Sequence, residues 1–332
     1  RHMRRFCVDM SLSQSKRCSK LPPKVIEYNA TVTHVELLTP TLGLFRVKPD
    51  EPAGSFIPGQ YAVLGLNHPE KGAVLRAYSI ASAPDESQDY YEYYVRYVNN
   101  PTSDNPLTHL LFDLKAGDRI HQRSKFKGKF TLEHTMGEDD GRLRVLVAAG
   151  TGLAPFRSMV MQNYLYSGQP GNFAIIHGAS YPEDLGYREE LEGLMNKEEK
   201  QRYLASISRP QEAKDWAGLT GRIESHFEGD RINYLEQELG MEPGQMNPKN
   251  CTVMICGLQG TIANTAAALL DRGFVPEDRK LRRALGIPAE VKPTLFWEQY
   301  DTTPIIDTKD EALVAQLAER LRAAGVPLAV PA

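Results

Sequence analysis

The run Leu143-Arg-Val-Leu-Val-Ala-Ala is almost continuously apolar and ends in Gly150-Thr151-Gly152-Leu153-Ala154-Pro155. A strand that is apolar toward both faces needs cover on both, as in a parallel sheet flanked by helices. Glycines allow a tight turn, and proline suits the first turn of the helix that follows. The rest of the chain repeats the alternation. Phe173-Ala-Ile-Ile-His predicts a second strand, Tyr203 to Ser208 a third, Cys251 to Cys256 a fourth and Leu295 to Tyr300 a last. Helical patterns mark Pro155 to Leu165, Leu185 to Met195 and Gln259 to Asp271. This alternation predicts a doubly wound parallel sheet.

Upstream the style differs. From Tyr28 to Leu132, short strands alternate with turn residues, interrupted by one helix from Leu107 to Leu114. That spacing predicts an antiparallel barrel. We expect a two-domain β plus α/β protein: a β-barrel over 25–138 and a parallel-sheet domain over 141–300. Residues 1–24 are basic and Ser-rich and read as a flexible extension, with Arg1-His2 a vector scar before Met3. Residues 301–332 read as a C-terminal extension with a helix. There Thr308-Lys-Asp-Glu311 has the form of a capping box, and Leu313, Leu317 and Leu321 follow at helical spacing up to Gly325.

The formal net charge of −3 gives no reason to expect a nucleic-acid partner. Cys7, Cys18, Cys251 and Cys256 lack the spacing of a zinc or iron–sulfur site, so no metal is expected. Cys251 and Cys256 lie along one short strand, which disfavours pairing. A reducing cytoplasm is therefore expected. No run of about 18 apolar residues occurs, so no membrane-spanning helix is expected.

Two segments carry chemistry. In Arg76-Ala77-Tyr78-Ser79, Arg76 and Tyr78 point to one side of a strand and Ser79 to the other. A guanidinium matches a pyrophosphate, a tyrosine ring stacks on a flat isoalloxazine, and a serine hydroxyl can bond the flavin N5. Tyr94-Val95-Arg96 follows on the next strand, and Leu107-Thr108 opens a helix whose free amides suit a phosphate. The second segment is the Gly150 turn, where glycines let a pyrophosphate approach the backbone and the helix dipole favours its charge.

Together these segments resemble the ferredoxin–NADP⁺ reductase family, specifically its bacterial branch, from about Val25 to Tyr300. The resemblance implies an FAD-binding barrel followed by an NADP-binding domain. It implies that Arg76 holds the pyrophosphate of a non-covalent FAD, with Ala77 between it and a stacking Tyr78. Ser79 would lie near N5, and Tyr94, Val95, Arg96, Leu107 and Thr108 would form the second FAD segment. The family's Gly-Thr-Gly-x-Ala-Pro loop falls on Gly150, Thr151 and Gly152. Its 2′-phosphate clamp falls on Ser208, Arg209 and Arg222. Where the family usually has a further arginine, this chain has Ser180. Cys256-Gly257 would lie by the nicotinamide, and Tyr300 would cover the flavin face. Ser79, Cys256 and Tyr300 are thus the expected catalytic positions.

The activity so implied is hydride exchange between NADP(H) and FAD and single-electron exchange with a ferredoxin or flavodoxin. Residues Arg119 to Lys129 include five Lys or Arg and no acid. Of these, Arg123, Lys125, Lys127 and Lys129 are the expected docking face for such an acidic partner. Two other readings stay open: the reductase component of an oxygenase system, and a non-catalytic flavin-binding sensor or docking subunit. The histidines are expected to be structural or on the surface. The C-terminal extension is expected either to cover the FAD adenine and close the cleft or to brace the barrel.

Overall fold

Apolar residues at every second position in the first part of the chain build six short strands. The computed structural model describes residues 24–52, 54–86, 89–100, 106–168, 171–197, 202–300 and 303–329. The expected N-terminal extension up to residue 23, with Cys7 and Cys18, and the first two residues of the C-terminal one lie outside the described residues. In chain order the first elements are β1 (Ala30–Thr39), β2 (Leu42–Pro49), β3 (Tyr61–His68), β4 (Gly72–Ser79), β5 (Tyr91–Arg96), α1 (Leu107–Phe112) and β6 (Arg119–Gln122). They form one antiparallel sheet in the order β4-β3-β6-β1-β2-β5. A bridge between Ile80 and Tyr93 joins its two ends into a barrel. Closure leaves no free edge. Phe45, Leu64, Ile80, Tyr93 and Ile120 fill the interior, and Leu107 and Leu111 of α1 plug it.

Strand β6 is an addition to the sequence reading. Ile120 and Gln122 point inward, and two inward positions inside a basic run give too thin an alternation to recognise. Arg119, counted in that run, is held by Asp50 at 2.6 Å and is not part of a free cationic face.

The second part begins with β7 (Leu143–Ala149), α2 (Ala154–Met161), β8 (Phe173–Ala179), α3 (Arg188–Met195), β9 (Tyr203–Ile207) and β10 (Leu219–Thr220). It continues with α4 (Arg231–Glu238), β11 (Cys251–Gly257), α5 (Gln259–Leu270), α6 (Arg279–Ala284), β12 (Leu295–Gln299) and α7 (Glu311–Ala323). The strands form a wholly parallel sheet in the order β10-β9-β8-β7-β11-β12. Because β7 is flanked by β8 and β11, the winding reverses there. In sheets of this kind ligands bind at the carboxyl ends of the strands beside such a reversal. The helix expected from Leu185 starts only at Arg188, since Tyr187 adopts φ 62 and cannot continue a right-handed turn.

The C-terminal extension corrects two expectations. Leu317 and Leu321 are buried with Ile305 and Ile306 in the apolar cluster that includes Ile262, Ala266 and Leu269 of α5. Helix α7 thus packs on α5 of the parallel sheet and does not brace the barrel. The physical reason lies in Gln-Gly-Thr-Ile-Ala-Asn-Thr-Ala-Ala-Ala-Leu-Leu, which is apolar around most of α5 and needs a second cover beyond the sheet. The expected capping box does not form either: the Asp310 side chain accepts from the Leu313 amide at 3.0 Å and starts the helix two residues later. Among the described residues, no helix is long and apolar enough to cross a membrane.

Candidate active site

The carboxyl ends of β7 and β11 meet in register, Ala148 beside Cys256, which brings the Gly150 turn against Cys256-Gly257. Gly150 has φ 55, and a Cβ there would meet nothing within 4 Å, so its outer side is open. Gly152 faces inward. A Cβ on it would lie 2.1 Å from the Cys256 carbonyl oxygen, so only glycine lets the turn sit on β11. His177 fixes the turn from beneath, with Nε2 3.1 Å from the Gly150 carbonyl and Nδ1 2.8 Å from the Tyr203 hydroxyl. A carbonyl only accepts, so Nε2 carries the hydrogen and Nδ1 accepts from tyrosine. Burial pulls the His177 pKa down to about 4, and the ring is neutral. The histidine is structural, as expected, but its partner is the Gly150 turn itself.

Beside this turn, four side chains converge. The Cys256 thiol donates to the Tyr300 hydroxyl at 3.3 Å, and that hydroxyl lies 3.5 Å from the Thr151 carbonyl. The Ser79 side chain lies beside both Tyr300 and Glu298. The Tyr300 ring is 52% exposed while its hydroxyl points inward. Burial pushes the Cys256 thiol and the Tyr300 phenol well above their usual ranges. Burial also raises the Glu298 carboxyl to about 7, against an opposing contribution from Ser79. Its Oε2 is buried without a hydrogen-bond partner. Glu298 is the functional candidate that sequence reasoning missed. Its signal was its place two residues before Tyr300, which puts it on the same side of an extended chain.

Strand β4 leads into this cluster. Arg76 and Ala77 are exposed, Tyr78 is partly buried and Ser79 is 7% exposed. An outward arginine followed by an aromatic ring and an inward hydroxyl is the arrangement a flat, phosphate-bearing ligand needs. The orphaned Glu298 oxygen and the open side of Gly150 fit a group lying between the barrel and the turn.

Comparison with known proteins agrees with this geometry. Residues 146–267 match the oxidoreductase NAD-binding domain family. Ferredoxin–NADP reductase B of Sorangium cellulosum is 32% identical over 214 residues, covering 64% of this chain and 79% of the relative. The flavodoxin/ferredoxin–NADP reductase of Rhodobacter capsulatus is 29% identical over 71% of this chain and 83% of the relative. A crystal structure of a ferredoxin–NADP⁺ reductase from Neisseria gonorrhoeae with bound FAD and NADP is 26% identical. It superposes with a TM-score of 0.66 over 82% of this chain and 98% of that one. The chain belongs to the ferredoxin–NADP⁺ reductase family. It is an NAD(P)H-dependent flavoprotein oxidoreductase.

Other candidate positions of this reductase are placed less simply. Val95 and Leu107 are core residues of the barrel, and Thr108 accepts from the Val98 amide at 3.2 Å. The Tyr94 side chain turns toward the parallel-sheet half: its hydroxyl accepts from the Gly186 amide at 3.0 Å. Arg96 pairs with Asp184 at 2.7 Å. The Arg96 side chain stays 43% exposed, and only its Nη1 is engaged by Asp184.

The two halves of the reductase are further joined through Arg157 of α2, which is 3% exposed. Its guanidinium donates to the Ala81 carbonyl and to Glu86 at 2.9 Å, and to Glu190 at 2.7 Å. Ala81 lies two residues beyond Ser79, so this arginine ties the helix after the Gly150 turn to the end of the Ser79 strand. At the far end of the sheet, the Ser208 amide bonds Ala179 and the Arg209 amide bonds the Ser180 carbonyl, at 3.0 and 3.1 Å. Arg209 and Arg222 are exposed there, with Arg222 3.8 Å from Glu224.

Proposed function

We propose that this chain is a ferredoxin–NADP⁺ reductase that binds FAD non-covalently, exchanges hydride with NADP(H) and exchanges single electrons with a ferredoxin or flavodoxin. The observation that carries the reading is the convergence of Ser79, Glu298, Tyr300 and Cys256 beside the open Gly150 turn. Bound flavin supplies both hydride and single-electron chemistry. The chain's own residues bind and orient. Arg76 faces the FAD pyrophosphate, and Tyr78 stacks on its ring. Gly150, Thr151 and Gly152 receive the pyrophosphate of the nucleotide at the start of a helix. Cys256 and Gly257 form the floor under the nicotinamide, and Tyr300 shields the flavin face until the nicotinamide takes its place. Burial lifts the Glu298 carboxyl to about 7, so it is partly protonated at neutral pH, and Ser79 beside it would face the flavin ring. Ser208, Arg209 and Arg222 select the 2′-phosphate of NADP.

The acceptor reading rests on Arg123, Lys125, Lys127 and Lys129, all exposed, while Phe126 between them packs on Phe56 and Tyr91. Inward packing of the ring turns the neighbouring cations outward. Anaerobic titration of the purified holoenzyme with NADPH tests the core: the visible flavin band bleaches, and it does so at far lower NADPH than NADH. A colourless protein, or one that NADPH fails to bleach, refutes the reading. Charge reversal of Lys125 and Lys127 tests the partner. Reduction of ferredoxin is expected to fall more steeply than reduction of a small dye, and equal losses would count against this docking face.

A further inference from the structure

Arg209 does not stand alone at the end of β9. Its Nη1 donates to the Tyr181 hydroxyl at 2.5 Å, and its guanidinium carbon lies 5.2 Å from the centroid of the Tyr181 ring. The backbone brings the two together, because the Arg209 amide bonds the Ser180 carbonyl one residue before Tyr181. The Arg209 hydrogen occupies one lone pair of the phenol oxygen, so the phenol keeps its own hydrogen for another acceptor. The nearest one is Glu212 Oε1, at 3.5 Å, the outer limit for a hydrogen bond. Glu212 is exposed and lies on the short turn Pro210–Glu212 that follows Arg209. Asp184, the other acid near this arginine, is engaged by Arg96 at 2.7 Å.

We infer that Tyr181 is a positioning residue for 2′-phosphate recognition: it holds the Arg209 guanidinium in place and offers its own hydroxyl hydrogen to the phosphate, which displaces Glu212. The inference rests on the reading of Arg209 as a 2′-phosphate ligand and deepens it. An arginine in solvent loses much side-chain freedom on binding, and stacking with a hydrogen bond removes part of that loss beforehand. A phosphate oxygen is a stronger acceptor than a carboxylate at the limit of reach. Glu212 therefore stands in for the phosphate and weakens its binding. In this chain the pair would do the work of the positive charge that Ser180 does not supply.

Titration calorimetry on the full-length protein with 2′,5′-ADP, and with 5′-AMP as reference, tests this without turnover. Tyr181→Phe keeps the ring and removes the hydroxyl. It is expected to weaken 2′,5′-ADP relative to 5′-AMP by about 10-fold, the loss of one charged hydrogen bond. In steady state the same factor should appear in the KM for NADPH. Glu212→Gln is expected to tighten 2′,5′-ADP. If Arg209→Ala weakens 2′,5′-ADP while Tyr181→Phe binds it like the parent, the inference is overturned and the arginine's role stands. Weaker binding in Glu212→Gln also overturns it. If Arg209→Ala leaves the ratio of the two ligands unchanged, the NADP reading fails and the inference falls with it.

Discussion

Where the Gly150 turn meets β11, Cys256 is fully buried, Ser79 nearly so, and Glu298 carries an unpaired inward oxygen. At the far end of the parallel sheet, the proposed phosphate end, Arg209 and Arg222 stand in solvent on turns beyond the strands. In the proposed reading the two ends would hold parts of one ligand, but they work under different dielectric conditions. In the dry end, burial dominates proton affinities, as at Glu298. A group there can change the chemistry. In the wet end, water and salt screen every charge, so recognition depends on how well a side chain is held in advance. The lesson is that substitutions at the dry end should alter turnover and pH dependence, whereas those at the wet end should alter nucleotide choice and salt dependence.

The sharpest way to break this contrast is at Gly152. A Cβ there would come 2.1 Å from the Cys256 carbonyl oxygen. Gly152→Ala is expected to lower stability by about 3 kcal/mol or more and to reduce nucleotide turnover by at least about 100-fold. Thermal melting and steady-state rates check both. Next comes Glu298→Gln. The acid holds its proton below about 7, so a step that uses the proton slows as pH rises through that value. The variant should be about 100-fold slower and should lose the inflection near pH 7 in kcat. A profile unchanged by the substitution would remove Glu298 from the chemistry.

Smaller effects belong to the wet end. Arg209→Ala should lower the NADPH-over-NADH preference by about 30-fold, the cost of a charged phosphate contact, with the change shrinking in high salt. Arg222→Ala should cost only about 3-fold, because Glu224 already shares that guanidinium at 3.8 Å. The smallest effect at neutral pH concerns His177. Its folded-state pKa is depressed from 6.5 to about 4, so its contribution to stability is full above 6.5 and is lost as pH falls through about 4. The loss should approach about 3 kcal/mol in acid melts, and a His177→Gln variant should show a shallower acid slope.

Both motifs were legible in the chain because each is local. Gly150 to Pro155 carries its turn and helix start in six consecutive residues, and Arg76 to Ser79 lies on one strand. What escaped was either weakly patterned or distant. Strand β6 has two inward residues in a basic run. Glu298 looks like any charged residue near a strand end until Ser79, from more than two hundred positions earlier, is placed against it. The C-terminal helix was legible, but its docking partner was not. Its leucines specify an apolar face without naming α5 as the surface they cover.

The order of strands and helices, the glycine turn and the arginine–tyrosine–serine strand follow from the sequence alone, because periodicity and turn chemistry act over a few residues. The proton affinity of Glu298, the orientation of Tyr94 and Arg96 toward the second half, and the pairing of Tyr181 with Arg209 came only from the tertiary structure. Those properties depend on burial and on contacts between segments far apart in the chain, and no local pattern fixes either.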